Sequence, residues 1–338
     1  MKKLRIGIVG LGRLGKIHAY NVAFRVPNTE LVAACANTDA SLIYARDKLG
    51  IKNLYKSYDE MITYKDMDAV LICSPSNIHC MQIEKALVAG YHVFAEKPLG
   101  ISIDDCKNAE EAVKRHNDKK VMLGFMRRFD KSYVYAKEKI NEGAIGKPYL
   151  IKATSLDAES TIEDTIKYSK HSSGIFLDLG VHDIDLMHWF LETEATEVYA
   201  NGATFKYKEL KENGDEETAI ATYKFKNGAM GILHVGRAGA HGNHVETEII
   251  GTDGIIRISS MPDRNRASIY INNGMLNEAT QDFTERWDIA YIDEIETFAS
   301  CVLNDKTIPI SVYDGTYATK VGIATTESLR SAMPIIIN

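Results

Sequence analysis

The chain has 338 residues, of which 45% are hydrophobic, 25% charged and 9% aromatic, the balance of a globular protein with room for two domains. With 40 Lys and Arg against 46 Asp and Glu the net charge is −6, and no basic stripe points to nucleic acid, so positive charge that meets a ligand must be local. No apolar run reaches the ~20 residues that span a bilayer, Arg13 and Lys16 break up the signal-like start, and five scattered cysteines without Cys-x-x-Cys spacing fit a cytoplasmic protein without disulfides or zinc.

Leu4–Val9 reads as a buried strand and Leu14–Phe24 as the helix after it. Further strands are expected over Leu31–Cys35, Ala69–Cys73, His92–Ala95 and Val121–Phe125, separated by helices over Ala40–Leu49, Ile78–Ala89 and Ile103–Asn117. Strands joined by helices imply parallel pairing, so residues 1–124 are expected to form a doubly wound α/β domain. From 125 to 338 the pattern changes. A helix over Tyr133–Asn141, a strand over Tyr149–Leu156 and a helix over Gly174–Leu191 precede a run of strands. These cover Glu197–Phe205, Ala219–Phe225, Ala229–Val235, Val245–Ile250, Ile255–Ser259 and Ser268–Ile271. The turn signals Lys226-Asn227-Gly228 and Thr252-Asp253-Gly254 predict antiparallel hairpins. Helices over Asp288–Leu303 and Tyr313–Ser331 complete an α+β domain with a mostly antiparallel sheet.

Between the first strand and helix lies Gly10-Leu11-Gly12-Arg13-Leu14-Gly15, a G-x-G-x-x-G sequence in the strand–turn–helix setting that gives it meaning. Gly10 permits the tight turn, Gly12 lets the backbone approach a pyrophosphate, and Gly15 allows close helix–strand packing. NAD is the expected cofactor. The acid that would bind its adenosine ribose is missing, because Ala36 or Asn37 stands in its place and Asp39 comes late. Arg13 could approach a 2′-phosphate, which leaves NADP open.

Strand ends supply the remaining polar groups. Ser74, Pro75, Asn77 and His79 follow the third predicted strand, at the edge where open α/β sheets bind ligands. His79 fits either a cofactor contact or a helix-start residue. The next strand ends in Glu96-Lys97-Pro98, and Lys97 there is suited to polarising a carbonyl or stabilising an alkoxide. In Asp178-Leu179-Gly180-Val181-His182-Asp183-Ile184-Asp185, Asp178 and His182 are four apart and share a helix face, as a carboxylate supporting an imidazole base requires. His182 and His188 diverge around the helix, so no metal site is expected. Asp157 and His234, polar positions near strands, are further substrate-pocket candidates.

Taken in order, the glycine loop, Glu96-Lys97-Pro98 and the stretch from Gly174 to Asp185 resemble the glucose–fructose oxidoreductase/inositol 2-dehydrogenase (Gfo/Idh/MocA) family. The resemblance implies a Rossmann domain followed by an α+β domain whose open sheet supports homo-oligomers, a dimer or tetramer. It also implies that Lys97, Asp178 and His182 are catalytic. Within the family, Gly124-Phe125-Met126-Arg127-Arg128-Phe129-Asp130 is similar to the inositol dehydrogenase branch, which places Met126 at the cofactor and Arg127 at the polyol. The expected reaction is oxidation of a cyclic polyol, myo- or scyllo-inositol, to the inosose. Another sugar substrate, or a nicotinamide-binding sensor without turnover, is the alternative.

Overall fold

Short β-branched runs between amphipathic helices give a parallel sheet when each strand is buried on both faces. The computed structural model describes residues 2–170, 172–259 and 263–338. Its first sheet contains β1 (Leu4–Val9), β2 (Thr29–Cys35), β3 (Asn53–Tyr55), β4 (Ala69–Ile72), β5 (His92–Glu96) and β6 (Val121–Gly124). All five pairings are parallel, in the spatial order β3-β2-β1-β4-β5-β6. The order reverses between β1 and β4, and the crevice at such a reversal is where doubly wound sheets take ligands. β3 is one strand more than the sequence pattern predicts.

Contacts divide the chain into two units, one of Met1–Phe129 with Ile289–Thr319, the other of Asp130–Asp288 with Lys320–Asn338. In the first, Ile6, Ile8, Leu71, Phe94 and Met122 pack with Ile295, Phe298 and Ala299 in a core that excludes solvent.

The second unit holds β7 (Pro148–Ala158), β8 (Ala195–Ala203), β9 (Thr218–Phe225), β10 (Met230–Gly239), β11 (His244–Gly251), β12 (Ile255–Ile258), the hairpin β13 (Asp263–Ile271) and β14 (Gly274–Ala279), and β15 (Ile335–Ile336). Seven of these form one sheet in the order β12-β11-β7-β10-β9-β8-β15. Only β7 and β10 run parallel; the 226–228 and 252–254 turns close antiparallel pairs as predicted. One face is covered by the helix Val181–Leu191, whose leading residue Gly180 lies so close to Leu233 and Val235 that an added Cβ would stand 3.2 and 3.5 Å from their side chains. The other face exposes Tyr199, Ile220, Met230 and Ile232.

Two predicted helices are not uniform. The first is an α-helix over Arg13–Tyr20 that continues as a π-turn over Asn21–Arg25. The stretch before Val181 is a π-turn over Phe176–Gly180. Among the described residues, no helix is long and apolar enough to cross a membrane.

Candidate active site

The three glycines of the first loop have three different reasons to be glycine. Gly10 has φ +91°, and a Cβ there would meet the Cys73 carbonyl oxygen at 2.4 Å. A Cβ on Gly15 would fall 2.0 Å from the Gly10 carbonyl oxygen, so helix and turn can approach only without it. Around Gly12 nothing lies within 4 Å, and no side chain caps the helix it opens. Uncapped N–H groups beside open space suit a pyrophosphate, so these residues fit NAD. The backbone at Gly12, φ −72°, suits any residue. Gly12→Val is therefore expected to leave the melting temperature almost unchanged while weakening NAD binding at least ~10-fold, about 1.4 kcal/mol. Titration calorimetry checks this, and unchanged affinity would remove the loop from the binding site.

Around the loop, Leu11 is buried in the core and Leu14 half-buried, whereas Arg13 is exposed. Asn37 is exposed just beyond β2. Thr38 caps the next helix, and Asp39 in its first turn pairs with Lys56 at 2.6 Å. Beyond β4, Pro75 and Asn77 are exposed, and the Ser74 hydroxyl donates to Gln82 Oε1. His79 is buried, with its ring nitrogens 2.9 and 2.8 Å from the carbonyl oxygens of Pro98 and Ser74. Burial lowers its pKa against those two carbonyls. The ring is thus committed to tying the loop after β4 to the loop after β5.

At the end of β5, Glu96 is buried and Lys97 half-buried, and the Lys97 N–H donates to Glu96 Oε2 at 3.1 Å. Met126 and Arg127 are buried in a single 3₁₀ turn after β6. Arg128, in the same turn, pairs with Asp314 at 3.0 Å.

In the second unit, Asp178 lies within the π-turn and His182 in the first turn of the α-helix that follows, so the two are not on one regular α-helix as the four-residue spacing supposes. His182 is buried. The Asp178 carboxylate accepts from Arg237 Nη1. Arg237 is fully buried and also donates through Nη2 to Asp215 at 2.7 Å. Burial alone would lower the pKa of Arg237, but the charges of Asp178 and Asp215 outweigh it, and the guanidinium stays charged. The Asp178 charge also raises the Tyr168 pKa. Sequence reading missed Arg237, although it continues the inward series Gly231, Leu233, Val235 on β10. A charge at a core-facing strand position was the available signal.

The same alternation separates two substrate candidates. Asp157 is close enough to raise the pKa of Arg237. His234 alternates with Leu233 and Val235, so it points to the opposite sheet face, away from the helix carrying His182, and meets Thr218 Oγ1 at 3.1 Å. It does not join the cluster around Asp178. Asp183 is buried and accepts from Ser155 at 2.7 Å, and His188 Nδ1 lies 3.0 Å from the Thr193 carbonyl oxygen.

Known proteins agree with this layout along the whole chain. A profile described as "Oxidoreductase family, NAD-binding Rossmann fold" matches residues 4–125, and one described as "GFO/IDH/MocA C-terminal domain" matches 133–257. The scyllo-inositol 2-dehydrogenase (NAD(+)) of Bacillus subtilis (strain 168) is 34% identical over 98% of this chain and 96% of its own. The crystal structure of scyllo-inositol dehydrogenase from Lactobacillus casei with bound NAD(H) and scyllo-inositol superposes with TM-score 0.97, at 40% identity over 99% of both chains. That of myo-inositol 2-dehydrogenase from Lactobacillus plantarum gives 0.96, at 35% identity over 100% of both. With both domain profiles matched in order and relatives aligned over nearly its full length, the chain belongs to the Gfo/Idh/MocA family of oxidoreductases.

Proposed function

We propose that the protein is a cytoplasmic NAD-dependent dehydrogenase that oxidises one secondary alcohol of a cyclic polyol, myo- or scyllo-inositol, to the inosose. The observation that carries this reading is the near full-length likeness, in sequence and structure, to enzymes named for these two inositols. When bound, NAD supplies the acceptor for the hydride leaving the carbinol carbon. The unit containing β1–β6 holds the cofactor, with the loop from Gly10 to Gly15 on the pyrophosphate and Asn37, Ser74, Pro75, Asn77 and Met126 around the remainder.

Lys97 holds the reacting oxygen and favours its alkoxide by charge. His182 takes the hydroxyl proton. Asp178 stands one turn before it, fixed by Arg237. Its carboxylate orients His182 and favours the imidazolium that His182 becomes. Arg127 and Asp157 contribute to polyol binding. The exposed apolar positions Tyr199, Ile220, Met230 and Ile232 make the open sheet face the seat of a second copy of the chain.

A panel of inositols and hexoses with NAD and NADP, read as reduced-cofactor formation, tests the assignment. An inositol with NAD is expected to give the highest kcat/KM. A hexose preferred over every inositol would move the substrate elsewhere in the family, and cofactor binding without turnover on any alcohol would make the chain a sensor.

A further inference from the structure

On β5, Phe94 and Glu96 point to the same sheet face, two residues apart. The helical segment 289–303 covers that face and turns Tyr291, Glu294 and Phe298 toward it at i, i+3 and i+7 spacing. His18, from the helix after the glycine loop, stands among them, 5.7 Å from the Phe94 ring and 5.5 Å from the Tyr291 ring, centroid to centroid. Its Nε2 is 2.6 Å from Glu96 Oε1 and 3.8 Å from Glu294 Oε1. The side chains of His18 and Glu294 have 0% exposure, and neither Glu294 oxygen has a hydrogen-bond partner among the described residues. The second Glu96 oxygen takes the peptide N–H of Lys97.

Three such groups could suggest a metal site. Two ligands on one tetrahedral ion with bonds of about 2.0–2.1 Å sit roughly 3.3 Å apart, whereas His18 and Glu96 are at the distance of a shared proton. Burial, and then the charge of Glu96, push the pKa of Glu294 well above the carboxylate range. The other titratable groups around the cluster are Cys73, His79 and Tyr291, and the last also feels Arg13 and Arg127.

We propose that His18 is a positioning residue for the reaction, with Glu294 packed against its imidazole: His18 holds the Glu96 carboxylate, and through it the peptide of Lys97, in one orientation. The proposal rests on the reading of Lys97 as the group that holds the reacting oxygen. A carboxylate bonded only to the exposed rim could rotate, and would carry the main chain at Lys97 with it. A carboxylate bonded on its inner side to a buried imidazole cannot. Such control matters because an ångström of misplacement at a reacting centre costs up to ~10²-fold in rate.

Double-mutant cycles in the full-length enzyme test this. His18→Gln and Glu294→Leu are expected to lower kcat by ~10–10²-fold, with NAD affinity nearly unchanged. Glu294→Gln keeps the size and polarity of the group beside the imidazole and is expected to recover activity to within ~5-fold of the parent, about 1 kcal/mol. In a Lys97→Ala background, followed at high enzyme concentration, each change is expected to cost almost nothing more, because its effect runs through a side chain already removed. Losses that multiply in that background would overturn the positioning role while leaving Lys97 in place, as would a normal kcat in both His18→Gln and Glu294→Leu. If either of those fails to fold, the other carries the same cycle. A near-normal Lys97→Ala enzyme would instead overturn the reading of Lys97 itself.

Discussion

Lys97→Ala is expected to lower kcat with inositol by about 10²–10³-fold, the usual loss when one charged donor to a developing oxyanion is removed. The argument starts from the strand. β5 delivers Lys97 to the C-terminal edge of a parallel sheet, where doubly wound folds bind ligands. Lys97 is only half-buried, so truncating it opens no large cavity, and the melting temperature should stay close to that of the parent. NAD affinity should change little, because the cradle at Gly12 is untouched. The diagnostic pattern is a fall in kcat and kcat/KM together, which marks an interaction made in the transition state. A raised KM at unchanged kcat would demote Lys97 to ordinary substrate binding.

The largest effect on stability is expected at Arg237. Arg237→Ala strands Asp178 and Asp215 without the cation that both share. Breaking a buried pair by removing one partner costs about 3–5 kcal/mol, which in a domain of this size is a drop on the order of 10 °C in melting temperature. Activity should fall as well, since Asp178 loses the partner that fixes it. Arg237→Lys tests the geometry, because one ammonium cannot reproduce a fork that donates to both carboxylates through separate nitrogens. It should lie between the parent and Arg237→Ala in both readouts. Thermal melts that barely move for Arg237→Ala would show that the two carboxylates find other partners at little cost.

Sequence pattern reveals this molecule best where the signal is local. The strands β1, β2, β4, β5 and β6 are short, mostly apolar runs ending near glycine or polar residues, and that pattern is enough. β3, only three half-buried residues, offers no such run. The association of 289–319 with the first unit pairs residues far apart in the chain, His18 with Glu294 among them, and nothing in a helix pattern names its partner. That is why Glu294 and its contact with His18 escaped notice, although both sit in helices whose existence was plain. Strand parity was the underused information. Extending β10 past Val235 exposes Arg237 as an inward charge, and the same count turns His234 to the other face. The π-turn before Val181 changes which residues share a face, and no composition signal marks it.

The most direct test of the central claim uses scyllo-inositol and myo-inositol deuterated at the carbinol carbons, incubated with NAD and the purified protein, with the reduced cofactor weighed by mass spectrometry. The account predicts NADH heavier by one deuterium from at least one of the two. Formation of no reduced cofactor from either, or of NADH without label, would contradict it.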